Sequence, residues 1–436
     1  MYSVFFRLVF VLMFTFPVFA KLKVEVNRGF FSPIPIAITD FTGISEAEKK
    51  MGKGLRQVIA NNLGRSGYFN PLAQSAYIQD CEALKKAVRY EDWRIIKVDA
   101  LVYGDIQISG NSVTVNFRLV DVYAQKQIEG LTLKGKVGEW RKLAHLVSNA
   151  VYKRLTGENG YFTSRIAYVA ESGIATRRIK RLAIMDQDGE NHRFLTRGHT
   201  LVMTPRFSPD GKKVAYFEIR NRHGDVYIYD LEHHTTELIG TFEGMSYAPK
   251  FSPDGQYLIY SLATGFVSHI YEFNLRTRKK KKLTFVPSLN TSPCYSPDGK
   301  QITFVSDRSG TAQIYIMDRD GSNERRISFG AGRYYTPDWS PNGKYIAFTK
   351  TVPQGFFVGV MNPDGTEERA LAQDYFVEGP TWSNNSQMIM FTRRTPINSK
   401  TKTSISRIYM INVAGYNERE ILTPMDAAEP EWSAGN

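Results

Sequence analysis

Seven histidines carry this chain's potential for metal binding and general-base work: His145, His192, His199, His223, His233, His234 and His269. None forms HExxH or another ligand spacing. His233-His234 falls between two predicted strands, where adjacent side chains on a turn face solvent. Asp186-Gln187-Asp188-Gly189 and Asp318-Arg319-Asp320-Gly321 begin like calcium loops. They lack the middle ligands and closing glutamate of an EF-hand, and both read as turns. A serine nucleophile needs G-x-S-x-G on a strand–turn–helix. The nearest string, Gly244-Met245-Ser246-Tyr247-Ala248, departs from it and is expected in a loop. Cys81 and Cys294 exclude a disulfide scaffold and a Cys-rich zinc fold, and are expected as buried free thiols. The expectation is therefore no catalytic residue, no metal and no cofactor. The densest charge cluster, Arg276–Lys282, reads as a solvated hairpin turn. As a functional feature it would suit anionic headgroups or an acidic partner.

The 436 residues are 42% hydrophobic, 23% charged and 13% aromatic, a globular composition. Lys plus Arg is 56 against 43 for Asp plus Glu, giving net charge +13. Excess positive charge favours anionic partners without selecting one. The opening MYSVFFRLVFVLMFTFPVFA has Arg7, an apolar core from Leu8 to Phe16, a breaking Pro17 and small residues ahead of a cut after Ala20. That is the layout of a cleaved export signal. Its apolar stretch is shorter than the ~20 residues that span a bilayer. Export argues against nucleic acid as a partner, and no stable membrane insertion is expected.

The elements that would position any site come from a repeat. PRFSPDGKKVAY at Pro205 returns at Pro249, Pro293 and Pro337, more weakly at Pro380, and as a fragment at Pro430. In the copies at Pro205, Pro249 and Pro293 a short strand ends at a Pro-Asp-Gly turn, in which proline presets φ, aspartate caps its own backbone and glycine takes positive φ. A second apolar strand follows, then a third such as Val226–Tyr229 and a fourth such as Thr236–Ile239. Four short strands per ~44 residues mark a β-propeller blade. Six third strands give six blades. The first unit, from Arg165, lacks a leading strand, and the last fragment is only a leading strand. Glu431-Trp432-Ser433 is expected to pair with the first blade and close the ring.

Residues ahead of the repeat read as a compact α/β domain. Ile34–Phe41 reads as a strand and Ser45–Arg65 as a helix, with Met51, Leu55, Val58, Ile59 and Leu63 on one face. Ser45 and Glu48 form a capping box, although Gly52 and Gly54 weaken the helix. Cys81–Val88 reads as a short helix, Ala100–Ile108, Ser112–Val120 and Gln127–Lys136 as strands, and Trp140–Val151 as a helix stopping near Gly157. The predicted organisation is a signal peptide (1–20), an extended start (21–33), an α/β domain (34–160) and an all-β six-bladed propeller (161–436) with N/C-terminal strand closure.

This layout resembles the TolB family, periplasmic components of the Tol-Pal system of Gram-negative bacteria. The resemblance rests on Ile36–Phe41 after a proline, on Leu63-Gly64-Arg65-Ser66-Gly67-Tyr68-Phe69-Asn70-Pro71, and on Leu155-Thr156-Gly157 leading into Thr163–Val169. It implies a non-enzymatic, monomeric periplasmic scaffold. Such a scaffold would bind the lipoprotein Pal, communicate with the inner-membrane protein TolA, and support outer-membrane integrity and constriction during division. Other envelope proteins are further possible partners. In the family, Pal sits at the propeller mouth. The loops before each leading strand supply Met203, Thr204, Tyr247, Ala248, Thr291, Ser292, Tyr335, Thr336, Glu378 and Glu429 there. The TolA segment corresponds to Leu22, Val24, Glu25, Val26, Asn27 and Arg28, either a free tail or an added strand. The alternative is a propeller enzyme or small-ligand module using the channel. Prolyl-oligopeptidase-like peptidases share this repeat, but their nucleophile motif is missing here.

Overall fold

The computed structural model describes residues 32–220, 223–242 and 246–435. The chain divides into two compact units, one built mainly from residues up to Gly157, the other from Glu158 onward. No helix among the described residues is long and apolar enough to cross a membrane.

The first unit is a five-stranded sheet with helices. Its elements are β1 (Ile34–Ile38), α1 (Glu46–Ser66), β2 (Phe69–Pro71), α2 (Cys81–Leu84), α3 (Tyr90–Ile95), β3 (Ala100–Ser109), β4 (Ser112–Asp121), β5 (Lys126–Lys136) and α4 (Trp140–Thr156). The sheet order is β2-β1-β3-β4-β5. β1 is parallel to β2 and β3, whereas β3, β4 and β5 form an antiparallel meander. Ala37, Leu101 and Val120 pack on Leu84 and Trp93 from α2 and α3. Leu55, Val58, Ile59 and Leu63 of α1 are buried as the periodicity predicts, and Met51 is half-buried.

The glycines of α1 have a packing reason. A Cβ on Gly52 would meet the Phe41 carbonyl oxygen at 1.9 Å, and one on Gly54 the Trp140 ring at 3.0 Å. Two elements lack a readable signal: β2 is three residues long and α3 six. The helix expected over Cys81–Val88 stops at Leu84, after an Asp80 cap that accepts Ala83 N at 2.7 Å. On this short surface helix Cys81 is only half-buried, contrary to expectation, and it is free.

The capping box forms. Glu48 Oε2 accepts Ser45 N and Ile44 N at 2.8 Å, and Glu48 N donates to Ser45 Oγ at 3.2 Å. Glu48 Oε1 also accepts Ile108 N, from β3, at 2.7 Å. These backbone donors, Ile108 first, lower the Glu48 carboxyl to about 2. A lowered carboxylate stabilises the fold above its unfolded value, near 4.3, and that contribution is lost as pH falls toward 2. Glu48→Gln is therefore expected to lower the melting temperature at pH 6 and to flatten its fall between pH 5 and pH 3. A pH–melting profile parallel to wild type would refute this role.

The second unit contains, among the described residues, six four-stranded antiparallel sheets. Blade I joins Asp426–Trp432 to Arg165–Ser172, Ile179–Asp186 and Arg193–Phe194. The leading strands of blades II to VI are Leu201–Phe207, Ser246–Phe251, Asn290–Tyr295, Arg333–Trp339 and Val377–Trp382. Trp432 lies opposite Ile166, and Ser433 N donates to Arg165 O at 2.8 Å, so the C-terminal strand closes the ring. The core lies between neighbouring blades. Phe217 and Val226 of blade II, for example, pack on Leu258 and Tyr260 of blade III.

The repeated turn is held by its own side chains. Ser208 Oγ donates to Asp210 Oδ1 at 2.6 Å, Asp210 Oδ1 accepts Lys212 N at 3.0 Å, and Gly211 has φ +67°. The weakest copy has Asn385 in place of aspartate and Ser386, at φ 60°, in place of glycine. The Asp186 and Asp318 strings are likewise turns, closed by Gly189 N to Asp186 O and Gly321 N to Asp318 O. His233 is 70% exposed on its turn.

The basic run is only partly a turn, because Lys280–Lys282 forms the outer strand of blade III. Arg278 pairs with Glu237 at 2.9 Å and Lys281 donates to Asp320 O at 3.1 Å, tying the strand to the blades on either side.

Candidate functional site at the propeller mouth

The mouth is the end of the ring where leading strands begin and second strands finish. Its geometry follows from one repeated dipeptide. Each leading strand carries a residue followed by proline, and proline has no N–H for the ladder. There the register slips, between Ala215 and Phe217 in blade II and at the matching place in all the others. In blades I, II, IV, V and VI the residue before the proline takes a left-handed backbone: Thr204 at φ 48°, Ser292 at 51°, Thr336 at 47°, Gly379 at 63° and Glu429 at 53°. For β-branched threonine this is strain, and strain of this kind clusters at functional sites. The result is a ring of bulges, which re-aim side chains and backbone groups.

The sequence-predicted mouth residues therefore sit inside strands rather than in loops, and Ser246 likewise starts a leading strand. Met203, Thr204, Thr291, Ser292, Tyr335, Thr336, Glu378 and Glu429 are all half-buried on these strands. For Tyr247 and Ala248 the structure describes the backbone alone, with Tyr247 opposite Ser261. Thr204, Thr291, Ser292 and Thr336 line a cavity of about 310 Å³ with Arg206, Lys250, Gly379 and prolines. Met203, Tyr335, Glu378 and Glu429 do not line it. Leu22, Val24, Glu25, Val26, Asn27 and Arg28 lie outside the described residues.

Neighbouring blades are stitched at the bulges. Gly379 N donates to Thr349 Oγ1 at 3.1 Å, and Glu429 N to Thr392 Oγ1 at 2.9 Å. At the matching place in blade I stands Val169, which has no hydroxyl. Glu429 supplies the missing acceptor, since its Oε2 accepts Thr204 N at 2.6 Å. Lys180 Nζ stands 3.5 Å from its other oxygen. Glu429 is thus committed inside the ring, while burial first, and then the nearby Glu429 charge, push Glu378 up to about 7.

One residue beyond each proline is Arg206, Lys250, Cys294, Asp338, Thr381 or Glu431. These side chains meet on the ring axis, because their partners come from other blades. Lys250 of blade III is ion-paired with Asp338 of blade V. Arg206 lies 3.6 Å from Glu431, which also accepts Thr381 Oγ1 at 2.9 Å. Burial would lower the Lys250 ammonium, but the Asp338 carboxylate outweighs it and the group is held up. Burial pushes the Cys294 thiol up to about 11, so it is an inert buried thiol, as expected.

Blade I adds a second network. The fully buried Glu171 carboxylate pairs with Arg178 at 2.8 Å and with Lys180 and Arg394 at 3.3 Å.

The outer rim is apolar. Phe266, Phe285, Phe329 and Tyr375 are 99%, 72%, 71% and 61% exposed in the connections that surround the mouth. In the turns at the other end, Tyr416 is the one large apolar side chain exposed among the described residues. Exposed aromatic groups around a concave centre characterise protein interfaces. Sequence reasoning finds the strands under this rim and misses the rim.

Known proteins match the whole of this arrangement. The TolB beta propeller domain profile matches residues 152–436, and the TolB amino-terminal domain profile matches residues 22–128. A Tol-Pal system protein TolB of Paramagnetospirillum magneticum is 59% identical over 96% of this chain and 94% of its own. That of Pelagibacter ubique is 54% identical over 98% of both chains. The crystal structure of TolB from Acinetobacter baumannii superposes with a TM-score of 0.82 at 27% identity, covering 92% of this chain and 97% of that one. With profiles matching residues 22–128 and 152–436 and relatives 54–59% identical over nearly the whole chain, the chain belongs to the TolB family of the Tol-Pal system.

Proposed function

We propose that this protein is a non-enzymatic periplasmic scaffold that binds the soluble domain of the lipoprotein Pal at its propeller mouth. Its exported form starts at Lys21, after cleavage behind Ala20. The segment Lys21–Pro33, with Leu22, Val24, Glu25, Val26, Asn27 and Arg28, engages TolA at the inner membrane. Linking the two membranes in this way supports outer-membrane integrity and constriction during division.

The observation that carries this reading is the aromatic rim around a polar, strained mouth. Phe285 and Phe329 are the anchors, the half-buried strand residues Thr291, Ser292, Tyr335 and Thr336 supply polar contacts, and burial of the rim supplies the affinity. Tyr247 and Ala248 belong to the same ring by their place in the repeat.

Phe285→Asp and Phe329→Asp are each expected to weaken Pal-domain binding at least ~10-fold, the scale of an interface anchor. Tyr416→Asp, at the other end of the ring, is expected to leave it unchanged. Calorimetric titration of the purified proteins decides. Equal affinity for wild type and both rim variants would remove the mouth as the binding surface.

A further inference from the structure

Six residues between Arg276 and Lys282 are basic, and docking over the channel makes no use of them. Lys279, Lys280 and Lys281 are exposed, and Lys282 is half-buried. Lys279 and Lys282 form no ion pair among the described residues. The nearby carboxylates are engaged elsewhere: Glu237 with Arg278, Glu272 with Arg319 and Glu324 with Arg308. Lys281 donates to Asp320 O at 3.1 Å, in the blade IV turn that leads to exposed Arg325 on the next outer strand. A positive strip therefore runs across the outer edges of blades III and IV.

Exposed rings stand at the mouth end of this strip. Lys282 Nζ sits 5.5 Å from the centre of the Phe285 ring, and the Arg326 guanidinium 5.3 Å from that of Phe329. Phe266, in the turn between the second and third strands of blade III, is 99% exposed. Ser268 N donates to Ser288 O at 3.0 Å, which holds that turn beside the connection carrying Phe285. Rings with cations directly behind them suit a bilayer surface. The rings enter the headgroup boundary, while each lysine stem keeps its ammonium in water at the level of the phosphates. A fixed protein carboxylate is better held by the arginine fork, whereas a lysine run is a set of mobile point charges fitted to a fluid phosphate layer. The net charge of +13 adds attraction at longer range.

We propose that the outer edge of blades III and IV is a peripheral contact for an anionic phospholipid surface. Phe266 and Phe285 enter the headgroup layer, and Lys279, Lys280, Lys282 and Arg325 draw the phosphates. Nothing in this contact spans the bilayer. It does not rest on the protein docking proposed above. Phe285 serves both, so a lipid surface and a protein contend for that ring, whereas the lysines answer to the lipid alone.

The test is co-sedimentation of residues 21–436 with vesicles of roughly one part phosphatidylglycerol to two parts phosphatidylcholine, and with vesicles of phosphatidylcholine alone. Binding to the anionic vesicles is expected well below about 1 mM lipid, weakened by added salt and much weaker on the neutral ones. Lys279→Glu with Lys282→Glu is expected to weaken it more than ~20-fold. Lys212→Glu with Lys344→Glu makes the same change of net charge on exposed turns at the other end of the ring, and is expected to cost far less. Phe266→Ser, at a side chain that packs on nothing, is expected to weaken binding at least ~5-fold without touching the fold. The proposal is overturned if no binding appears at about 1 mM lipid, if neutral vesicles bind as well, or if the two lysine pairs behave alike. Unchanged binding of Phe266→Ser also overturns it. Soluble polyglutamate bound as tightly as the vesicles would assign the strip to an acidic polypeptide instead.

Discussion

Deleting residues 430–436 is expected to cost the propeller at least about 5 kcal/mol and to lower its melting temperature by about 10 °C or more. The segment is short, but it supplies the inner edge of blade I. Glu431 pairs with Ala167 and Trp432 with Ile166, and Ser433 exchanges two hydrogen bonds with Arg165. Trp432 is 5% exposed and meets Tyr161 edge-on at 5.5 Å. Removing a buried tryptophan side chain alone costs about 3–5 kcal/mol. The deletion also exposes the edge of Arg165–Ser172, a template for association with other chains. Trp432→Ala, which keeps the strand, should account for more than half of the loss. An unchanged melting curve for the deletion would refute closure by this strand.

The second large effect concerns the axial ion pair. Asp338→Ala leaves the Lys250 ammonium in a mostly buried place with its carboxylate gone. Breaking one side of such a pair costs about 3–5 kcal/mol, chiefly the penalty of the stranded charge. The double change Lys250→Met with Asp338→Leu removes both charges and is expected to recover most of that loss, because desolvating the pair was itself costly. Denaturant titration of the single and double variants measures the difference. A double variant as unstable as the single one would mean that packing, rather than charge, sets the cost.

Much of the fold is legible in the sequence because blades repeat their solution. The Pro-Asp-Gly turn names its own residues, so strand ends are readable to within a few positions. Helix α1 is readable from its apolar face and its Ser45–Glu48 box. What escapes has no periodic signature. The elements β2 and α3 are too short to show one. The mouth dipeptides read as loops because proline argues against a central strand, whereas here each proline sits in a bulge, with a left-handed residue before it in blades I, II, IV, V and VI. The axial charges stand at one fixed step past each proline, but only the closed ring shows that Lys250 of one blade reaches Asp338 two blades on. Phe285 and Phe329 fall in connections of unequal length, where no register aligns them. Glu429 is expected among the mouth contacts, and nothing in the sequence shows that it also accepts Thr204 N across the blades.

On the proposed reading a protein partner docks on the mouth. Amide hydrogen exchange of residues 21–436, with and without a saturating amount of its own Pal soluble domain, tests it most directly. The expected result is slowed exchange in Asn290–Tyr295, Arg333–Trp339 and Val377–Trp382 and in the connections holding Phe285, Phe329 and Tyr375. Exchange in the Pro-Asp-Gly turns around Asp210, Asp254 and Asp298 should be unchanged. Protection centred on those turns, or no protection anywhere in the propeller, would contradict it.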